Sequence, residues 1–370
     1  MGVLLYHDSP ITDSIEGEQM EPLKIGIVGA GMAWEKLHWP AFQRLRDHFT
    51  ITAVCDRDIS KARQAASHAG LGNDKAFDSY QKMLNTVDVE AVDILVPIDQ
   101  TFEVTKDVIA HNKHIIVEKP VAATVTGAKE LIKLGKKLKI LVAENYRYDE
   151  ENRIIKNLID ERAIGNVAYF IDNNVQEFQK KMHGSDFAST EWRQHPDFRG
   201  GIFLDGAVHH IARHRFLFGD VESIYATGRS TSADFSPYAC INAMLRFKDQ
   251  ITGHYAFFCI AKETQEPLVG LRIFGTEGEI YLEDKNCGYV NFTRKNGEKQ
   301  AIPYQPNEGY FNELLNFYEA VKNNSKITAT PDKGLGDIQV IFDILNAIET
   351  GNVIHNPVME KKRAVRKKAV

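Results

Sequence analysis

The stretch "GGIFLDGAVHHIARHRFLFGD", residues 200–220, carries Asp205, His209, His210 and His214. Residues four apart on an α-helix share a face, about one turn from each other. Asp205 and His209 are so spaced, and so are His210 and His214. The first pair suits acid–base work: histidine is the side chain that ordinarily titrates nearest neutrality, and a carboxylate beside it orients substrate or raises the basicity of its neighbours. The second pair has the spacing of two metal ligands on a helix. It lacks a completing acid, because Ile211, Ala212 and Arg213 follow His210, and an adjacent guanidinium disfavours a cation. No bound metal is expected, and His210 and His214 read as packing or surface residues. Spacing alone leaves a blander alternative open, in which Asp205 caps the helix and His209 is a satisfied core histidine. Gly200 and Gly201, just ahead, are expected to let the chain pass close to a substrate.

A redox partner for such a pair is suggested near the N-terminus. In "LKIGIVGAGMAWEKLHWPAF" an apolar run, Leu23 to Val28, leads into Gly29, Ala30, Gly31, Met32 and Ala33 and then a helix-like stretch. A buried parallel strand reads as such a continuous run. Two glycines permit a tight turn and a close approach of pyrophosphate to the backbone, and the helix behind them offers N–H donors. Trp34 stands where a third small residue is usual. A second strand-like run, "FTITAVCD", ends in Asp56, 27 positions after Gly29, where an acid accepts the adenosine ribose hydroxyls. That carboxylate favours NAD; the adjacent Arg57 leaves NADP open.

The elements that must carry these residues then follow. Strand-like runs at 91–97, 114–120 and 140–145 alternate with helix-like runs at 59–69, 101–111 and 124–139. The alternation predicts a parallel, doubly wound (Rossmann) sheet over residues 22–146. Ligands of such sheets bind beyond the carboxyl ends of the strands. Pro97, Glu118, Lys119 and Asn145 all fall there, and with Gly29, Gly31, Met32, Ala33, Asp56 and Arg57 they make up the expected cofactor site. Beyond a helix at 149–161 the pattern changes. Strict alternation in "YACINAMLRF" and further short strands to residue 293 predict an α+β domain, 147–357, with a large open, mostly antiparallel sheet. Two helices, 309–322 and 333–349, close it, the second a candidate to pack back on the first domain. An open sheet with apolar residues on its other face is expected to pair with a second copy, giving a homodimer or homotetramer.

Composition narrows the function classes. The chain has 370 residues, 43% hydrophobic and 26% charged, with a net charge of −5. No global basic field favours nucleic acid or an acidic membrane. The one basic cluster is Lys361 to Lys368, in a tail at 358–370 read as solvated. No apolar run reaches a membrane span. Residues 1–21 read as a poorly ordered extension, not a signal peptide. Cys55, Cys240, Cys259 and Cys287 are scattered without a CxxC pair, which fits a reducing cytoplasm.

Glu118-Lys119-Pro120 at a strand end behind a Gly-x-Gly turn, the set Trp192-Arg193, Gly200-Gly201 and Asp205-x-x-x-His209, the turn "FGTEGEIYL" and the terminal helices resemble the Gfo/Idh/MocA family of glucose–fructose oxidoreductase, inositol dehydrogenase and relatives. The resemblance runs over residues 23–357. It implies NAD(P)-dependent hydride transfer on a sugar, inositol or related polyol, with Lys119, Asp205 and His209 as the catalytic positions. His209 would be the base, Lys119 the donor to the reacting oxygen, and Asp205 would orient substrate. Tyr146, Arg147, Trp192 and Arg193 are the expected substrate-lining residues, since an aromatic plate suits a sugar ring and a guanidinium its hydroxyls. The chain departs from the family pattern at Trp34, at Thr101 where a histidine is common, and at Ala212 where an aspartate is common. Two other functions stay open on the same fold: an NAD-dependent glycoside-cleaving enzyme and a cofactor-sensing regulator without turnover.

Overall fold

The computed structural model describes residues 21–230, 233–259 and 269–356. The expected N-terminal extension, apart from Glu21, and the basic tail lie outside the described residues.

The first layer follows the apolar runs. Strands β1 (Leu23–Val28), β2 (Phe49–Cys55), β3 (Ala76–Phe77), β4 (Ala91–Ile94), β5 (His114–Glu118) and β6 (Ile140–Ala143) form a parallel sheet in the order β3-β2-β1-β4-β5-β6. Helices α1 (Trp39–Arg44), α2 (Ile59–His68), α3 (Tyr80–Thr86), α4 (Ile98–Ala110) and α5 (Val125–Leu134) connect them. Because both faces of the sheet are covered, β4 and β6 are buried along their whole length, and Leu23, Ile25 and Ile27 of β1 are fully buried. That is why these strands read as unbroken hydrophobic runs. The strand order reverses at β1, which has β2 on one side and β4 on the other. A crevice opens beyond the strand ends at such a switch point, and the glycine loop sits there.

After α6 (Glu150–Asp160) the chain builds a second sheet from β7 (Val167–Val175), β8 (Val221–Arg229), β9 (Cys240–Phe247), β10 (Thr252–Phe258), β11 (Gly270–Gly275), β12 (Gly278–Leu282), β13 (Tyr289–Arg294), β14 (Lys299–Pro303) and β15 (Ile354–His355). Their order is β14-β13-β12-β11-β7-β10-β9-β8-β15. The sheet is mixed: β10 runs parallel to β7, while the other neighbours are antiparallel. The interruption of the meander has a topological cause. After β7 the chain leaves the sheet for α7 (Phe178–Lys181), α8 (Glu191–Gln194) and α9 (Gly201–Phe218) and returns at the far side as β8. The place beside β7 is then filled from the other direction by β10.

Helices α10 (Gly309–Lys322) and α11 (Pro331–Thr350) follow β14, and the second ties the two sheets together. The first packs on α1 and β6; the second packs on α5 and β6 as well as on α9 and β8. Among the described residues no helix is long and apolar enough to cross a membrane, and the four cysteines are unpaired.

The glycine pair ahead of α9 serves a different contact from the expected one. Gly201 has φ +49°, and a Cβ there would lie 2.2 Å from the Phe235 carbonyl oxygen. The Ile202 N–H donates to that same oxygen at 2.8 Å. The close approach is to the backbone of the loop before β9, not to a substrate.

Candidate functional site

The glycine loop fits a dinucleotide. Gly29 has φ +105°, and an added Cβ would sit 2.4 Å from the Leu95 carbonyl oxygen, so β1 and β4 can meet here only through a glycine. At Gly31 a Cβ would meet nothing within 4 Å. The loop therefore opens onto free space at the start of the helical stretch, with Met32 and Ala33 half-buried at its mouth. Asp56 is fixed at the end of β2: one carboxylate oxygen accepts the Ala30 N–H at 2.8 Å and the other the Asp58 N–H at 2.9 Å. Arg57 is exposed beside it, and Pro97 caps α4 at the next strand end. Trp34 does not crowd the loop. It turns under it, fully buried, against Trp39 and Phe42 at ring distances of 5.3 and 6.0 Å. Gly29→Ala is expected to cost roughly 1–3 kcal/mol through the forced left-handed backbone alone, read as a lowered thermal midpoint together with weakened NADH binding.

Lys119 projects from the end of β5, after which the Lys119–Pro120 bond is cis. Its ammonium reaches the second domain and donates to the Asp205 backbone oxygen and to Asp205 Oδ1, both at 2.8 Å. Arg193 Nε donates to Asp205 Oδ2 at 2.7 Å. Burial alone would push the Asp205 carboxyl up; Lys119 and Arg193 outweigh it and hold the group well below the usual carboxylate range. Asp205 is thus a fixed anion between two cations. An ammonium has three protons, and two of those on Lys119 are directed at Asp205.

His209, one turn further along α9, is not paired with Asp205. Its Nδ1 lies 2.7 Å from Glu144 Oε1, at the end of β6. Tyr146 stacks on the imidazole with ring centroids 4.9 Å apart and planes at 23°. Glu144, absent from the expected site, is its main addition. The signal was available: it stands one position before Asn145 in "AEN", a carboxylate at the end of a parallel strand. A second unanticipated group is His38, fully buried between Asp93 Oδ2 at 2.8 Å and Glu118 Oε1 at 3.4 Å. Burial opposes the imidazolium, but the two carboxylates outweigh it and raise His38 well above its ordinary range. The signal there was a charge, Asp93, inside an apolar strand.

The other expected residues divide. Trp192 and Arg193 stay together, with the guanidinium 3.9 Å from the indole centroid; the ring thereby braces Arg193 toward Asp205. Glu118 turns inward, accepting from the Lys119 N–H at 3.1 Å and facing His38. The Asn145 side-chain amide is buried and donates to Asp149. Arg147 does not join the site. Its guanidinium is buried and donates to both oxygens of Asp337 at 2.7 and 2.8 Å. A charge taken out of water needs such a partner, and α11 supplies it.

His210 and His214 are buried hydrogen-bonding groups. His210 lies between Tyr255 Oη at 2.8 Å and Asn174 Nδ2 at 3.1 Å, and burial pushes its ring down to about 3, so it stays neutral. His214 and Arg213 both reach Asp172 Oδ2, at 2.6 and 2.7 Å. Their interior placement decides for packing over surface among the two expected readings. No group of three or more His, Cys, Asp or Glu that could hold a metal ion occurs among the described residues.

Comparison with known proteins adds to this geometry. Residues 23–146 match the family model described as "Oxidoreductase family, NAD-binding Rossmann fold", and residues 152–281 match the GFO/IDH/MocA C-terminal domain. The chain is 30% identical to an uncharacterized protein of Saccharomyces cerevisiae, over 83% of this chain and 90% of the relative. It is 25% identical to 1,5-anhydro-D-fructose reductase of Ensifer adhaerens, over 81% and 89% of the two chains. Among solved structures, an oxidoreductase from Thermotoga maritima superposes with a TM-score of 0.78 at 28% identity, covering 90% of this chain and 98% of the other. Levoglucosan dehydrogenase shares the fold, with a TM-score of 0.80 at 19% identity over 91% and 99% of the chains.

Proposed function

This chain belongs to the Gfo/Idh/MocA family of NAD(P)-binding oxidoreductases, and from there we propose that it moves hydride between its cofactor and a secondary alcohol or ketone of a sugar, inositol or related polyol. The observation that carries this reading is the meeting of Lys119, from the first domain, with Asp205 of α9 at 2.8 Å, one turn before His209. Relatives named 1,5-anhydro-D-fructose reductase and dTDP-3,4-didehydro-2,6-dideoxy-alpha-D-glucose 3-reductase support the sugar class.

When bound, the nicotinamide accepts or supplies the hydride. The residues of this chain handle the proton and the oxygen. Asp205 holds the Lys119 ammonium in place, and its remaining proton is available to the reacting oxygen, where negative charge develops. His209 takes the hydroxyl proton in oxidation and returns it in reduction. Arg193, braced by Trp192, and Tyr146 line the substrate side. Gly29, Gly31, Met32, Ala33 and Asp56 hold the dinucleotide.

Asp56 favours NAD, because a carboxylate fixed by two backbone N–H groups repels a 2′-phosphate. Asp56→Ser is expected to raise the ratio of kcat/KM for NADPH over NADH by about tenfold, equivalent to about 1.4 kcal/mol, with Arg57 beside it to meet the phosphate. The outer face of the second sheet, where Tyr169, Tyr225 and Met244 are 42%, 46% and 50% exposed, is the proposed contact between copies of the chain. The unpaired cysteines suit a cytoplasmic setting.

The test is a panel of sugars, inositols and their keto forms, with NAD and NADP in parallel. Turnover of a polyol that is lost in His209→Gln supports the reading. An aryl glycoside cleaved with catalytic NAD and no net NADH replaces it.

A further inference from the structure

The base needs a group that decides which of its two nitrogens carries a proton before substrate arrives. An imidazole can exchange the substrate proton at Nε2 only if Nδ1 holds the other hydrogen, and a neighbouring acceptor sets that choice. We infer that Glu144 is the positioning residue of His209, accepting the hydrogen on Nδ1 and leaving Nε2 as the nitrogen that faces the substrate oxygen. This rests on the reading of His209 as the proton-transfer group.

The arrangement is built from two directions. Glu144 is 2% exposed and follows β6, whose last residue, Ala143, is in register with Glu118 beside Lys119. The same strand-end row thus delivers the ammonium and the carboxylate to one helix. Glu144 Oε1 lies 2.7 Å from His209 Nδ1 and also accepts the Tyr146 N–H at 3.3 Å. Tyr146 then stacks on the ring it helps to place. Asp205, the nearest acid on α9 itself, cannot substitute: its two carboxylate oxygens are taken by Lys119 and Arg193.

The groups facing the pair come from every element around it. They are Glu118 at the end of β5, Tyr146 and Asp149 after β6, His210 on α9 and Glu313 on α10, with the Lys119–Asp205 pair one helical turn away. Glu313 is fully buried and neither of its oxygens has a partner. Burial, reinforced by Glu118, Glu144 and Asp149, pushes its carboxyl well above the ordinary range, toward the neutral form. In oxidation the substrate hydroxyl proton passes to Nε2, the Nδ1 hydrogen stays in its bond to Glu144, and the resulting imidazolium faces a carboxylate. Reduction runs the same proton back.

The experiment is side-chain nitrogen NMR of the full chain labelled with 15N-histidine, with the His209 signal assigned by its loss in His209→Gln. The expected wild-type signal is the Nδ1–H tautomer. In Glu144→Leu, which removes the acceptor, the Nδ1–H preference is expected to be lost and the Nε2–H form to appear. Glu144→Gln keeps an acceptor oxygen and should retain the Nδ1–H form. On the responsive substrate, kcat of Glu144→Leu should fall by roughly 10²-fold and recover in part in Glu144→Gln. A residue that only held up the fold would lower the rate without changing the tautomer. An Nε2–H tautomer in the wild type, or an unchanged tautomer in Glu144→Leu, overturns the inference. The NMR arm needs no substrate, so it decides the pair even if the panel overturns the polyol reading.

Discussion

Lys119→Ala is expected to lower kcat on the responsive polyol by roughly 10²–10³-fold, the effect of removing one donor from a developing oxyanion. The ammonium is held in a single place by two acceptors of the same residue, Asp205 O and Oδ1, each at 2.8 Å. It is therefore positioned before substrate binds and needs no reorganisation during the reaction. NADH binding, followed by fluorescence titration, should weaken far less, since the contacts proposed for the dinucleotide lie at the glycine loop and Asp56. Lys119→Arg should not restore the rate. A planar guanidinium satisfies Asp205 in a fork and cannot also direct a compact third donor at the substrate oxygen. A Lys119→Ala protein with wild-type kcat would take Lys119 out of the chemistry.

Asp337→Ala is expected to destabilise the fold by about 3–5 kcal/mol, the range for removing one partner of a buried ion pair. Asp337 is 2% exposed and accepts from two guanidiniums: Arg147 at 2.7 and 2.8 Å, and Arg215 at 2.5 Å. Its truncation leaves both without their common counter-charge, between α11 and α9. Urea denaturation at neutral pH measures the loss. Arg147→Met discriminates further. Asp337 keeps Arg215 and the aliphatic part of the side chain is retained, so a smaller destabilisation is expected with KM unchanged. If Arg147 were a substrate ligand, KM would rise and the denaturation midpoint would hold.

That second case shows where sequence reading runs out. The parallel layer was legible because strands buried on both faces leave unbroken apolar runs, and because the glycine turn and Asp56 sit at a fixed spacing around them. The second sheet's strands were legible from their alternation. The parallel pairing of β7 with β10 was not, because it is set by a long excursion through α9 and not by any turn. At the site, local spacing placed Asp205 and His209 on one helix but could not assign their partners. Those come from far away in sequence: Lys119 is 86 positions from Asp205, Glu144 is 65 from His209, and Asp337 is 190 from Arg147. An arginine after a strand end at a domain junction looks the same in sequence whether it meets a ligand or a buried aspartate. Asp93 was an interior clue, since a carboxylate inside a buried strand requires a partner, and His38 is that partner.

The most direct measurement follows a label. The protein is given cofactor deuterated at the transferable position of the reduced nicotinamide, together with the keto form of the responsive polyol, and the product is examined by mass spectrometry and NMR. The account predicts one deuterium on the new carbinol carbon for each cofactor oxidised, with both lost together in Lys119→Ala. Product that carries no deuterium, or a sugar released from a glycoside while the reduced cofactor is not consumed, would contradict it.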